Sequence, residues 1–181
     1  MFQAPPFTRR NALLATSLLV ASAGLSRIQP TVAAMQAEDN PLAGTVVTPL
    51  SAGVSAVAPD RTLMLLRVTM EPGVEIPPHF HPGPVALYVD TGTFGTQFFE
   101  GKGTVTRAAG EGTPAPVIEM APGDDISMPA GDHLFYEEAV HTMRNDGPEQ
   151  LVLLVSALFE TGAPGFNFVT MDGMDMATPN G

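Results

Sequence analysis

The chain has 181 residues, 44% of them hydrophobic, which is enough apolar material for one folded domain with a real core and argues against wholesale disorder. Eight Lys and Arg stand against 19 Asp and Glu, and the net charge of -11 argues against nucleic acid or an anionic membrane surface as partner. Cysteine is absent, so disulfides, thiolate nucleophiles and thiolate zinc sites are excluded, and any metal site has to be built from His and carboxylates.

In chain order, the first segment places Arg9 and Arg10 ahead of an uncharged, weakly apolar run from Ala12 to Leu25. That run is too short and too rich in Ala and Ser for a stable bilayer span. A basic region, an apolar region and then small residues, at Ala21-Ser22-Ala23 and again at Val32-Ala33-Ala34, read as a removable export signal over 1–34. The competing reading is a single buried helix. Thr8-Arg9-Arg10-Asn11-Ala12-Leu13 resembles the twin-arginine export signal, with Ala12 where that pattern usually has Phe. The resemblance implies that the protein leaves the cytoplasm already folded, for the periplasm, the cell surface or the medium. Beyond position 34 the chain keeps 5 basic residues against all 19 acidic ones, a net charge of -14.

An N-terminal lead-in over 35–60, polar and loose from Gln36 to Asn40, is expected next, then a β-barrel over 61–170. Gly and Pro number 18 each and leave little room for long helices. Between the Gly and Pro clusters lie short apolar and β-branched runs: Gly44 to Thr48, Thr62 to Met70, Val85 to Asp90, Gly95 to Glu100, Gly103 to Arg107, Val117 to Met120, Ile126 to Met128, His133 to Glu137, Val140 to Arg144, Gln150 to Phe159 and Phe166 to Thr170. Strands of this length with turns about every ten residues predict an all-β sandwich or barrel in one domain. The tail over 171–181 is expected to fray. Its Met171, Met174 and Met176 could serve a soft metal, although packing or disorder is the plainer role for a thioether.

Only four histidines occur: His79, His81, His133 and His141. On a strand, residues two apart share a face, so His79 and His81 would send both imidazoles into one space. Taken alone, that spacing fits a metal-binding pair and a pair of surface histidines equally well. Gly73, His79, His81 and Gly92 together are similar to the first signature of the cupin superfamily, in which Gly, five residues, His, any residue, His, a Glu and a later Gly follow at set intervals. The Glu is absent here, its place taken by Val85. His141 and Asn145 resemble the end of the second signature. That signature can be laid from Gly131, with Glu137 and Ala139 in place of its Pro and Gly. It can also be laid from Gly123, with Pro129-Ala130-Gly131 in register and an insertion before His141.

The resemblance implies a double-stranded β-helix, or jelly-roll barrel, with one divalent transition metal (Fe, Zn, Mn, Ni or Cu) on His79, His81 and His141, and often a homodimer. Three imidazoles can cap one face of an ion and leave the other open to water, dioxygen or substrate. Without the Glu, such an ion keeps more positive charge and should favour anionic chelating ligands. Glu137 or Glu138 could replace the carboxylate as ligand, orienter or general base. At most one of them can face inward, and a turn before His141 would erase the parity that favours Glu137. Tyr136 could hydrogen-bond a substrate, although an aromatic residue in a strand is more often packing. His133 reads as an exposed or hydrogen-bonded histidine, and Asn145 as a turn-fixing side chain. Arg67 and Arg144 could clamp a carboxylate or pair with surface acids.

Two functions follow. One is a metal-dependent enzyme, dioxygenase-like or isomerase-like, acting on a small oxygen-rich molecule. The other is a non-catalytic module that binds a small ligand or metal as sensor, scavenger or store. Metal release is expected as pH falls toward about 5, because ligation needs neutral imidazole.

Overall fold

A computed structural model describes residues 40–110 and 115–170. The expected export signal over 1–34 and the methionine-bearing tail over 171–181 lie outside the described residues. Those described form twelve strands and no helix: β1 (Thr45–Ser55), β2 (Ala58–Met70), β3 (Glu75–Phe80), β4 (Val85–Thr91), β5 (Thr93–Glu100), β6 (Gly103–Thr106), β7 (Val117–Met120), β8 (Asp125–Pro129), β9 (His133–Tyr136), β10 (Val140–Asn145), β11 (Leu151–Glu160) and β12 (Asn167–Phe168). Seven of them make one sheet in the order β1-β2-β11-β4-β9-β6-β7, and five make a second in the order β12-β3-β10-β5-β8. Neighbouring strands pair antiparallel, and the two sheets close the expected jelly roll. No helix among the described residues is long and apolar enough to cross a membrane.

Alternation along the strands explains which residues meet inside. β4 buries Val85, Leu87 and Val89 and exposes Ala86, Tyr88 and Asp90. β11 buries Leu151, Leu153, Val155, Ala157 and Phe159 at the same period of two. Ile76, Phe94, Phe98, Met128 and Met143 of the five-stranded sheet complete the core.

Two segments depart from the expectation. The strand expected at Gly44 to Thr48 runs on to Ser55: β1 pairs with β2 from Thr45 opposite Met70 to Ser55 opposite Ala58. Most β1 side chains are exposed, so the strand rests on backbone pairing and leaves little hydrophobic signal. β3 is hidden in the sequence by Pro77 and Pro78, which cannot donate to a ladder. The ladder absorbs them through a register shift between the His141–His79 and Met143–Ile76 pairs.

Asn145 takes the expected turn-fixing role. Its Nδ2 donates to the carbonyls of Met70 at 3.1 Å and Glu149 at 2.7 Å, while its Oδ1 accepts from the Gly147 amide at 3.0 Å. Arg144 pairs at the surface with Asp125 and Asp146, the surface role expected of it, and Arg67 is exposed.

Candidate metal centre

The ladder between β3 and β10 sets His79 directly opposite His141. His81 lies just past the end of β3, where the chain turns. The ring centroids are 4.6 Å apart for His79 and His141, 4.9 Å for His79 and His81, and 5.5 Å for His81 and His141. One ring nitrogen of each lies within 4.8 Å of one from each of the others. His79 and His141 are fully buried, and His81 is half-buried.

Each ring is held by its Nδ1. His79 Nδ1–H donates to the Pro77 carbonyl at 2.8 Å, and His81 Nδ1–H donates to the Gly165 carbonyl, 84 residues away. His141 Nδ1–H donates to the Thr142 carbonyl at 3.0 Å. The Thr96 hydroxyl gives its proton to that carbonyl at 2.7 Å, so toward His141 Nδ1, 3.2 Å away, its oxygen can only accept. These bonds keep the proton on Nδ1 and leave the Nε2 lone pairs for other work. The Nε2 atoms of His79 and His141 are buried with no partner. An unmatched buried polar atom costs about 1–3 kcal/mol, and a cation accepting lone pairs from all three rings would remove that cost at one point.

Aromatic walls explain why the rings stay neutral. Phe166 sits 5.0 Å from His79 and 5.1 Å from His81, Phe159 stacks on His81 at 5.5 Å, and Tyr136 meets His141 edge-on at 4.7 Å. Burial lowers the His79 pKa to about 3, with the neighbouring His81 adding to the effect and the Pro77 hydrogen bond opposing it. Burial lowers His81 to about 4, against its bond to Gly165. His141 is held well below the ordinary imidazole range by burial first, then by His79 and His81. Burial also pushes the Tyr136 phenol well up, so it stays protonated.

A stability prediction follows from these directions. As pH falls from 6.5 toward about 3 to 4, the unfolded chain takes up protons on these imidazoles and the folded chain does not. The metal-free protein therefore has its full stability above the unfolded value and loses it on acidification. The urea midpoint of chelator-treated protein is expected to drop between pH 7 and pH 5, before most carboxylates titrate at about 4. A flat midpoint across that interval would show imidazoles that ionise as freely as in the unfolded chain.

The other expected site residues are placed as follows. Tyr136 is buried against the triad. Glu137 and Glu138 are exposed in a bend between β9 and β10, which breaks the strand parity that favoured Glu137. No carboxylate joins the three histidines among the described residues. Glu138 lines a cleft of about 740 Å³ that His81 also lines, and with Glu137 and Tyr136 it lines a second of about 390 Å³. His133 is exposed on the outer face of β9, opposite Tyr88. Val85 is buried and pairs across the ladder with Tyr136, so the position expected to carry the motif Glu faces the core. The strand β9 lies between the Pro129-Ala130-Gly131 segment and His141.

No known family pattern and no curated protein matches the sequence. Solved structures resemble the fold. The L-ribose isomerase of Cellulomonas parahominis is 17% identical with a TM-score of 0.49, over 72% of this chain and 71% of that one. The L-ribose isomerase of Geodermatophilus obscurus is 16% identical with a TM-score of 0.49, over 70% of each chain. A cupin 2 conserved barrel domain protein from Leptotrichia buccalis is 14% identical with a TM-score of 0.42, over 63% of this chain and 40% of that one. At these values the likeness transfers neither substrate nor residue roles.

Proposed function

We propose that the chain acts outside the cytoplasm as a metal-dependent protein holding one divalent transition ion on His79, His81 and His141, and that it turns over a small oxygen-rich molecule there. The observation that carries the metal reading is the pair of buried, unpartnered Nε2 atoms on rings whose Nδ1 protons are already committed to acceptors. The export reading rests on residues 1–34 alone.

Three neutral nitrogens suit Fe, Zn, Mn, Ni or Cu. When bound, such an ion supplies a Lewis acid for a chelating oxygen ligand or a site for dioxygen. The backbone carbonyls of Pro77, Gly165 and Thr142 fix the three rings, and Phe98, Phe159 and Phe166 keep bulk water from them. Tyr136, protonated and packed on His141, supplies a hydrogen-bond donor at the same end of the barrel. Because burial holds His79 neutral to about 3 and His81 to about 4, and keeps His141 neutral well below the ordinary imidazole range, protons compete for Nε2 only in acid. Bound metal is therefore expected to persist at about pH 5, where free imidazole would release it, and to leave on further acidification.

A second reading, a non-catalytic sensor, scavenger or store, is favoured by the lack of any carboxylate in the triad to act as general base. One experiment separates the two: protein recovered from the exported fraction, loaded with iron, is assayed for oxygen uptake with diketones, thiol acids and phenols. Uptake that disappears in His141→Ala supports the enzyme, silence across the panel supports the binder, and absence of the chain from that fraction removes the export half.

A further inference from the structure

The three rings are closed in from one side by the segment that follows β11. The chain turns at Thr161 and Gly162, where the Thr161 amide donates to the Asp60 carbonyl at 2.8 Å, and runs back along β3 as far as β12. This strap lays Phe166 on His79 and His81, with Phe168 5.9 Å from His79 and stacked on Phe166. Its Gly165 carbonyl takes the Nδ1 proton of His81. The other aromatic walls, Phe98, Tyr136 and Phe159, are buried members of β5, β9 and β11. The strap is attached more lightly. β12 is two residues long and pairs Asn167 with Phe80 and Phe168 with His79, the Val169 amide adds a bond to the Pro78 carbonyl at 3.0 Å, and Phe166 is half-buried and Phe168 exposed. Of the three rings, the cleft of about 740 Å³ reaches His81 alone, while the Nε2 atoms of His79 and His141 are shut in with no partner. An ion arriving from solvent meets neither of those two atoms until part of the wall moves.

We propose that the strap from Gly162 to Val169 is the gate of the triad: it lifts off β3 to admit the ion, and it closes by returning Phe166 to His79 and His81 and the Gly165 carbonyl to His81. This rests on the metal-binding reading and adds the route of entry to it. Opening costs least here, because a segment with few buried apolar contacts and a short hydrogen-bonded run opens locally, whereas a central strand opens only with the whole fold. Lifting the strap also removes the acceptor on His81 Nδ1, which frees that ring to turn and to carry its proton on either nitrogen. Closing restores the tautomer that offers Nε2. Ion binding and strap closure therefore favour each other, and by linkage each strengthens the other by the same factor.

The test ties the strap down in the full chain, which has no cysteine of its own to interfere. Asn167 and Phe80 are directly opposed in the ladder, where antiparallel partners hold their Cα atoms about 4.5–5.5 Å apart, within the span of a disulfide. In the metal-free Phe80→Cys/Asn167→Cys protein, zinc uptake is expected to be about tenfold slower, or more, with the disulfide formed than with both thiols reduced and alkylated, and to reach the same final stoichiometry. A second readout needs no substitution. In the metal-free parent chain the Val169 amide is expected to exchange its hydrogen about tenfold faster, or more, than the amides of β11, and zinc is expected to slow it. Equal uptake by the disulfide and alkylated forms would overturn the gate and leave the metal centre standing, as would a Val169 amide that exchanges as slowly as β11 without zinc. A cysteine pair that does not oxidise to the disulfide would overturn it too, by showing that the strap does not lie on β3. If the parent chain takes up no zinc, the metal reading falls and the gate falls with it.

Discussion

If the chain holds a metal as proposed, the His141→Ala and His79→Ala proteins are each expected to lose it, by more than the roughly 10- to 100-fold that removal of an outer-shell partner costs. Each change takes away one of three neutral donors in a site where no carboxylate among the described residues holds the ion by charge. His133→Ala is the control. That ring lies on the outer face of β9, away from the triad, and its loss should leave stoichiometry unchanged. A second readout does not depend on chemistry at the ion. A ligand that binds only the folded state raises the unfolding temperature, so zinc should shift the parent and the His133→Ala protein and should not shift the other two. Undiminished stoichiometry in both His79→Ala and His141→Ala would end the three-histidine proposal.

Much of this site is legible in the amino-acid sequence. The resemblance to the cupin signatures names the three rings, since the His79-Phe80-His81 spacing alone fits a surface pair equally well and no spacing singles out His141. What holds the rings is not legible there. The acceptors on Nδ1 are backbone carbonyls of Pro77, Gly165 and Thr142, and a carbonyl has no residue-type signature. Phe98, Phe159 and Phe166 read as ordinary core aromatics, and only the fold brings them around the imidazoles and so sets their ionisation. Thr96 carries no signal at all. The carboxylate question turns on whether one strand runs unbroken from His133 to His141, and it is the bend at Glu137 and Glu138 that turns both side chains to solvent. In the same way Pro77 and Pro78 argue against the strand on which His79 is built, and a register shift in the ladder resolves the conflict.

That bend also carries the largest expected effect on folding. Gly101 follows β5 with a φ of +79°, a conformation that costs a residue bearing a Cβ roughly 1–2 kcal/mol. A Cβ added there would overlap the Glu138 carbonyl oxygen and lie 2.8 Å from the Ala139 Cα. Both obstacles are backbone, so no rotamer change relieves them, and forcing such a contact adds about 1–3 kcal/mol more. Gly101→Ala should therefore destabilise the fold by roughly 3 kcal/mol, which for a domain of this size lowers the unfolding temperature by about 10 °C. Gly123→Ala separates the two causes. Its φ is +95°, but an added Cβ meets nothing within 4 Å, so it should show the conformational cost alone. The chain that must yield at Glu138 and Ala139 runs straight into Val140 and His141, so metal affinity in the Gly101→Ala protein should weaken along with stability, whereas in the Gly123→Ala protein it should hold. Equal unfolding temperatures for the two variants would mean that the bend does not press on Gly101, and the path from the cleft wall to His141 would have to be redrawn.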